Sequence, residues 1–372
     1  VNQSAPAVRA ANAGRGVTVI VPTYHEVESI PHLVSRLAAV REASGIDLEL
    51  LLMDDDSRDG SDALVAKLDL PWVRMVTRTA NRGLSYAVLD GIRLSTRETL
   101  VVMDADLSHP PEKILELLDA LDDGAEVAVG SRFTEGGSTA DDWGLLRWLN
   151  SRVATLLALP LTNLNDPMSG FFAIRRATVL GGDEFNPVGY KILLELILKC
   201  GCGRVKEIPI HFENRRFGES ALTLMEQLKY LKHLRRLYMY KYGTWSHLVQ
   251  FLVVGLSGLA VNLAALTLLL HSPISKEQCV AIAIGVSMCW NFVLNRRFSF
   301  SYARDRSVLR QFLGFLAACA VGALVNYVVT IRLWGLIPSK QLAASLGVLA
   351  GTAFNFVASR FVIFRVKHVR AK

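Results

Sequence analysis

The feature that most constrains this chain is where its charges are missing. Four apolar runs lie at about 248–270, 278–294, 312–331 and 341–358. Each is near the roughly 20 residues a helix needs to cross a bilayer, with the second and fourth at the short end. Residues 1–240 instead spread their charges throughout and read as a soluble protein. The averages of 51% hydrophobic and 20% charged residues therefore conceal two unlike halves. The 372 residues leave room for one soluble domain and one membrane unit.

The formal net charge is +7, and its placement decides what it means. The link between the second and third runs carries Arg296, Arg297, Arg304, Arg306 and Arg310. The C-terminal stretch carries Arg360, Arg365, Lys367, His368, Arg370 and Lys372, while 271–277 and 332–340 are poor in charge. Basic residues massed beside apolar runs face lipid head groups or phosphates, so a membrane partner is expected and nucleic acid is not. The positive-inside rule puts the soluble half, the middle link and the C-terminus on the cytoplasmic side of a multi-pass integral membrane protein.

From Leu222 to Tyr242, Lys229, Lys232, His233, Arg235, Arg236 and Lys241 interleave with Leu228, Leu231, Leu234, Leu237, Tyr238 and Tyr240. That composition predicts an interfacial amphipathic helix. Residues 1–16 lack the apolar core of a signal peptide and read as a disordered tail. The expected organisation is a tail at 1–16, a catalytic domain at 17–220, interfacial helices at 221–245 and a membrane domain at 246–372. Five cysteines form no disulfide-like array, which fits a reducing compartment, and the Cys200/Cys202 pair lacks the further ligands a metal would need.

The membrane half repeats itself. Gln250-Phe251-Leu252 through Asn262 resembles Gln311-Phe312-Leu313 through Asn326, and Asn291-Phe292-Val293 resembles Asn355-Phe356-Val357. Two related hairpins in the same orientation explain this economically. Asparagine is costly in lipid, so Asn262, Asn291, Asn326 and Asn355 are expected to face other helices and hydrogen-bond across them.

The soluble half alternates strand and helix. Strands are predicted at 17–21, 48–53, 73–77, 100–103 and 127–130, with helices at about 27–43, 83–95 and 110–121. This rhythm gives an α/β fold with a mainly parallel, Rossmann-like sheet and ligands at the carboxyl ends of its strands. Asp54-Asp55-Asp56-Ser57 and Asp104-Ala105-Asp106 sit at two such ends. Two carboxylates one residue apart can hold a hard divalent cation, which in turn grips a diphosphate. Alone, Asp54–Asp56 reads better as a solvated turn with an N-cap, and a lone Asp104-Ala105-Asp106 is a weak signal that many surface loops share; the joint pattern points to a site.

The chain resembles the inverting GT-A glycosyltransferases of family two. The resemblance rests on Val21-Pro22-Thr23-Tyr24-His25-Glu26, Asp54-Asp55-Asp56-Ser57, Gly83-Leu84-Ser85, Asp104 through Pro110 and Gly130-Ser131-Arg132. The order of these motifs is similar to that of the dolichol-phosphate mannose synthases, and the match continues through Asp166–Phe172, Gly189–Glu195 and Arg215–Ser220. The four apolar runs resemble a GtrA-like membrane domain.

The resemblance implies a GT-A catalytic domain, interfacial helices and a four-helix transmembrane domain. It also implies transfer of mannose from GDP-mannose to a polyprenyl phosphate, with Mg²⁺ or Mn²⁺ as cofactor. Pro22, Tyr24, Glu26, Asp55, Asp104, Ala105, Asp106, Lys191 and Arg215 would bind the donor, and Asp104, Asp106 and Ser108 the metal. Arg132, Arg147 and Ser151 would meet the acceptor phosphate, with Asp106, Arg132 and Arg215 catalytic. Ala221 stands where many relatives have lysine, which leaves a UDP-hexose donor open. A lipid-linked sugar flippase and a non-catalytic scaffold are the rival readings, and Asp104, Asp106, Arg132 and Arg215 argue against the scaffold. Elementary chemistry agrees with the transferase. A phosphate monoester is anionic at neutral pH and needs no general base, so the problem is to bring two anions together, which cations solve. His109 is accordingly expected to be structural, and Glu195 reads equally as a catalytic or as a buried structural carboxylate.

Overall fold

The computed structural model describes residue 12 and residues 14–140, 145–214, 224–303 and 307–365. Contacts divide the chain into two compact units, Val1–Lys241 and Tyr242–Lys372.

In the first unit the strands are β1 (Gly16–Thr23), β2 (Asp47–Asp54), β3 (Val73–Thr77), β4 (Thr99–Val102), β5 (Val127–Ser131), β6 (Ser138–Thr139), β7 (Phe172–Arg175), β8 (Val205–Pro209) and β9 (His211–Phe212). Seven form one sheet in the order β3-β2-β1-β4-β7-β5-β8, and β6 pairs with β9. All pairings in the large sheet are parallel except those of β7, which runs antiparallel to both β4 and β5. The helices are α1 (Ile30–Ser44), α2 (Ser61–Leu68), α3 (Leu84–Leu94), α4 (Ile114–Asp122), α5 (Leu145–Ala158), α6 (Arg176–Leu180), α7 (Ile192–Lys199) and α8 (Leu224–Tyr242).

The β1 sequence is continuously apolar because both faces of the sheet are covered. Val17, Val19 and Val21 pack with Ile30, Leu33 and Leu37 of α1 and Leu117 of α4, while Ile20 packs with Val88 and Ile92 of α3 on the other face. Helix α1 begins three residues later than the apolar periodicity suggests. Residues 26–29 form a turn instead, in which Ser29 N donates to Glu26 O (3.0 Å) and Ser29 Oγ to Glu26 Oε2 (2.8 Å). Pro31 then fits the first helical turn, where a missing N–H costs nothing.

The second unit holds α9 (Thr244–Leu269), α10 (Lys276–Leu294), α11 (Val308–Trp334) and α12 (Lys340–Val357). Helices α10 and α12 continue into π-helical turns at Asn295–Ser299 and Ala358–Ile363. The second and fourth helices therefore run past the ends of their apolar runs, to Ser299 and Ile363, and Arg296 and Arg297 belong to the helical extension rather than to a link. Ser275 and Gln278 close a capping box that starts α10.

The repeat is real: the match of Asn291-Phe292-Val293 to Asn355-Phe356-Val357 is in register, and the Gln-Phe-Leu match is not. Space-equivalent residues share an offset of 64 positions: Gly258 and Gly322, Asn291 and Asn355, Phe300 and Phe364. Matching Gln250-Phe251-Leu252 to Gln311-Phe312-Leu313 is out of register by three, and Phe315 is the counterpart of Phe251. The aromatic contacts confirm this by exchange: Phe251 meets Phe356 at 5.7 Å, and Phe315 meets Phe292 at 5.9 Å. Phe300 stacks on its own counterpart Phe364 at 4.8 Å. Asn291 and Asn355 do face neighbouring helices, lying against Gly258 and Gly322 with no room for a Cβ. Their Oδ1 atoms, however, lack a hydrogen-bond partner. Hydrogen bonds between α9 and α10 come instead from Trp290 Nε1 to Ser257 Oγ (3.0 Å) and from Cys279 Sγ to Leu269 O (3.3 Å).

Candidate active site

The sheet order reverses between β1 and β4, and a doubly wound sheet binds ligands in the crevice outside the strand ends at such a point. Strand β4 stays tied to β1 through Met103 N and Ile20 O (3.2 Å), one residue before Asp104. On the β1 side of this crevice Pro22 is half-buried, Tyr24 is exposed with its ring 4.2 Å from that of His25, and Glu26 is engaged by Ser29.

The Asp104–His109 turn is largely buried. Ala105, Asp106, Leu107, Ser108 and His109 are all buried, whereas the Asp104 side chain is 32% exposed. Leu107 sits at φ 63°, a left-handed conformation that a branched side chain adopts at a cost of order 1–3 kcal/mol and that the surroundings must enforce. Asp106 Oδ1 accepts from Ser108 N (3.0 Å), and Ser108 Oγ is buried without a hydrogen-bond partner. His109 Nδ1 accepts the Asp104 backbone N–H at 3.1 Å, with the ring stacked on Phe171 (5.3 Å) and edge-on to Phe212 (5.4 Å). Burial pushes the His109 pKa down despite the nearby Asp104 and Asp106 charges. A neutral ring whose Nδ1 is an acceptor cannot form an ion pair, so the 3.7 Å approach to Asp104 Oδ2 is proximity only. His109 is a structural clamp on this turn.

The segment Asp166–Gly170 ties the site together. Asp166 is fully buried and takes Arg132 bidentately, Nε to Oδ2 and Nη2 to Oδ1, both at 2.7 Å, with Arg132 N adding a third bond at 3.1 Å. Burial opposes ionisation of Asp166, but these donors outweigh it and hold its pKa below the ordinary carboxylate range. Two residues on, Met168 O accepts from Lys191 Nζ (2.8 Å). Gly170 then passes so close to Asp104 that a Cβ there would lie 3.3 Å from both carboxylate oxygens. One short segment thus contacts Arg132, Lys191 and Asp104.

Arg132, expected at the acceptor phosphate, has a protein partner here. Its fork is turned to Asp166, and its guanidinium lies over Phe133 and Phe212 at 5.1 and 5.2 Å. The Asp166 carboxylate is the group that sequence reasoning missed; its signal was the Asp166-Pro167-Met168-Ser169-Gly170 motif. Asp55 is likewise committed within the fold. Its oxygens receive the buried Arg78 guanidinium and Gly83 N (2.6 Å), and Arg78 also reaches Asp90 (3.0 Å). Asp55 thereby fixes the entry to α3.

Ser151 lies half-buried on α5. Arg147 is on the same helix, but its side chain lies outside the described residues, as do Arg215 and the rest of 215–223. Glu195 is buried and ion-paired to Lys199 at 2.7 Å. A separate cavity of about 320 Å³ lies at the opposite ends of the strands, beside Gly16, Asp47 and Thr99. Its Arg15, Arg97 and Arg175 are each paired with carboxylates, so it is no rival anion site.

Residues 18–180 match the model for glycosyl transferase family 2, and residues 250–364 match that of the GtrA/DPMS transmembrane domain. The chain is 37% identical over 351 residues to a dolichol-phosphate mannosyltransferase of Pyrococcus furiosus, covering 93% of this chain and 98% of that protein. A dolichol-phosphate mannosyltransferase of Mycosarcoma maydis is 40% identical over 61% of this chain and 80% of its own length. A crystal structure of a mycobacterial protein superposes with a TM-score of 0.50 at 17% identity, over 64% of this chain and 78% of that one, a likeness of fold alone. The chain belongs to glycosyltransferase family 2, among relatives named dolichol-phosphate mannosyltransferase, and carries a GtrA/DPMS transmembrane domain in the same polypeptide.

Proposed function

We propose that the protein transfers mannose from GDP-mannose to a polyprenyl phosphate, dolichyl or undecaprenyl, inverting the anomeric carbon at the cytoplasmic membrane face. The relatives' names support synthesis of a polyprenyl-phosphate mannose. The observation that carries the reaction class is the Asp104–His109 turn, a half-open carboxylate beside a buried one, locked at the point where the sheet order reverses.

The donors at this turn suit a hard cation: Asp104 and Asp106 offer carboxylate oxygens, and Ser108 Oγ is an unpartnered buried hydroxyl. No group of three or more His, Cys, Asp or Glu able to hold an ion occurs among the described residues, so diphosphate and water would complete the shell. Bound there, Mg²⁺ or Mn²⁺ would neutralise charge on the departing diphosphate.

The chain's own residues do the rest. Asp166 aligns Arg132 at the edge of the crevice, and Lys191 brings a cation to the Met168 carbonyl beside it. Pro22, Tyr24, Glu26 and Asp55 shape the nucleoside end, with Asp55 acting through Arg78 and Gly83. Arg147, Ser151 and Arg215 receive the acceptor phosphate, whose oxygen attacks in line without a general base. His109 takes no proton in this scheme because its Nδ1 already holds the Asp104 N–H.

A donor panel tests the reading. Purified protein with a short polyprenyl phosphate should turn over GDP-mannose faster than UDP-glucose, followed by mass spectrometry of the lipid product. Faster turnover of a UDP-hexose would overturn the donor assignment and leave the reaction class standing.

A further inference from the structure

A second polar centre lies under the donor side of the site. Glu195, on the first turn of α7, is 1% exposed, and His233, on α8, is also 1% exposed. Glu195 Oε1 accepts from Asn186 N (2.8 Å) and pairs with Lys199 Nζ (2.7 Å). Glu195 Oε2 has no hydrogen-bond partner, and it faces His233 Nδ1 at 4.0 Å. The His233 ring nitrogens have no side-chain partner within hydrogen-bond distance, and the Lys191 main chain acts on the ring as a hydrogen-bonding group. Glu195 Oε2 and a His233 ring nitrogen left without partners beside Met168, Leu194, Leu234 and Leu237 are a costly arrangement unless they serve one another. Closing the 4.0 Å gap, directly or through one water, satisfies Glu195 Oε2 and one ring nitrogen together.

The same helix grips the donor loop along its length. Gly189 lies with its would-be Cβ 3.5 Å from Lys229 Cβ, Arg236 Nη1 donates to Asn186 Oδ1 (3.1 Å), and Tyr240 Oη reaches Asp183. On its other side α8 holds α5, through Tyr230 Oη to Ala154 O (2.7 Å) and Tyr238 Oη to Leu157 O (2.8 Å). Helix α8 therefore braces both the loop that ends in Lys191 and the helix that carries Arg147 and Ser151.

We propose that Glu195 and His233 are positioning residues for Lys191: a hydrogen bond from the His233 ring to Glu195 Oε2 fixes the first turn of α7 and so the reach of Lys191 to Met168. The electrostatic setting fits a neutral ring donating to a charged carboxylate. Burial lowers the His233 pKa, and Arg236 and Lys199 lower it further, against Glu195 and the Lys191 main chain, which raise it. Lys199 balances the Glu195 charge. The inference rests on the donor-side role given above to Lys191.

The test uses the full-length protein in detergent micelles. His233→Leu removes the donor at similar volume, His233→Asn keeps an N–H near the Nδ1 position, and Lys191→Ala tests the lysine itself. His233→Leu should raise the KM for GDP-mannose on the order of tenfold, the size expected when a hydrogen bond to a charged group is lost. The KM for the lipid phosphate should stay within twofold, His233→Asn should recover most of the loss, and His233→Leu in the Lys191→Ala background should add little. If His233→Leu lowers the melting temperature but leaves the donor KM unchanged while Lys191→Ala raises it, the pair is merely structural and the proposal fails. If the two substitutions are fully additive, the proposal fails. If Lys191→Ala leaves the donor KM unchanged, the assignment of Lys191 falls, and the inference with it.

Discussion

Asp166→Asn is the most informative single substitution. It keeps the shape of the side chain but removes the charge that Arg132 meets with two 2.7 Å bonds. Asp166 is fully buried and the Arg132 side chain is only 11% exposed, so water can replace little of what is lost. Removing one member of such a buried pair costs about 3–5 kcal/mol. For a domain of this size each kcal/mol moves the melting temperature about 2–4 °C, so the first unit should melt about 6–20 °C lower.

The pH dependence has a definite sign. The folded pKa of Asp166 is depressed, so its contribution is fully present above the unfolded value of about 3.9 and is lost as pH falls through the folded value. The gap between wild type and Asp166→Asn should therefore close below about pH 4. Turnover should fall too, because the segment that places Gly170 against Asp104 loses its anchor, and misplacement by about 1 Å can cost on the order of a hundredfold. The assay is thermal unfolding of the full-length protein in micelles from pH 3 to pH 8, with kinetics at pH 7. A melting shift under about 2 °C with unchanged turnover would refute the reasoning, since about 1 kcal/mol or less is the worth of an exposed pair.

Three further outcomes follow from the same geometry. Asp104→Ala and Asp106→Ala should each lower transfer by on the order of 10²–10³-fold or more, and EDTA should silence the wild type; full turnover in chelator would remove the cation from the scheme. Introduced cysteines at 271–274 and 336–339 should label from outside and one at Ser301 only from inside, and labelling at Ser301 from outside would invert the topology. Gly258→Val and Gly322→Val should each separate a helix pair by forcing a side chain against Asn291 or Asn355, lowering the melting temperature of the membrane unit; unchanged melting would discount the close approach.

Much of this molecule was legible from its residues. Strands β1, β2 and β4 are apolar on both faces because the sheet is covered on both sides, and that leaves a short continuous run in the sequence. The Asp104-Ala105-Asp106 cluster was legible because two charges at the end of such a run have no role in a core. The antiparallel β7 was not, since nothing local distinguishes one strand direction from the other. Nor was the partner of Arg132, because Asp166 lies 34 positions away and a carboxylate that anchors an arginine has the same spelling as one that binds a ligand. In the membrane unit the Gln-Phe-Leu identity misled by three residues. Register is set by which ring meets which, and Phe315 rather than Phe312 fills the place of Phe251. The π-helical extensions were hidden because their residues have ordinary helical composition.

The stacking of Phe300 on Phe364 has a consequence for how the membrane unit is made. Phe300 follows the second span and Phe364 follows the fourth, so each ring is the other's partner across the whole duplicated sequence. During synthesis the first hairpin enters the bilayer with Phe251 and Phe300 facing counterparts that the ribosome has not yet delivered. It must wait, half-assembled, until the last span has crossed. Translation order therefore makes the final hairpin the step that completes the bundle.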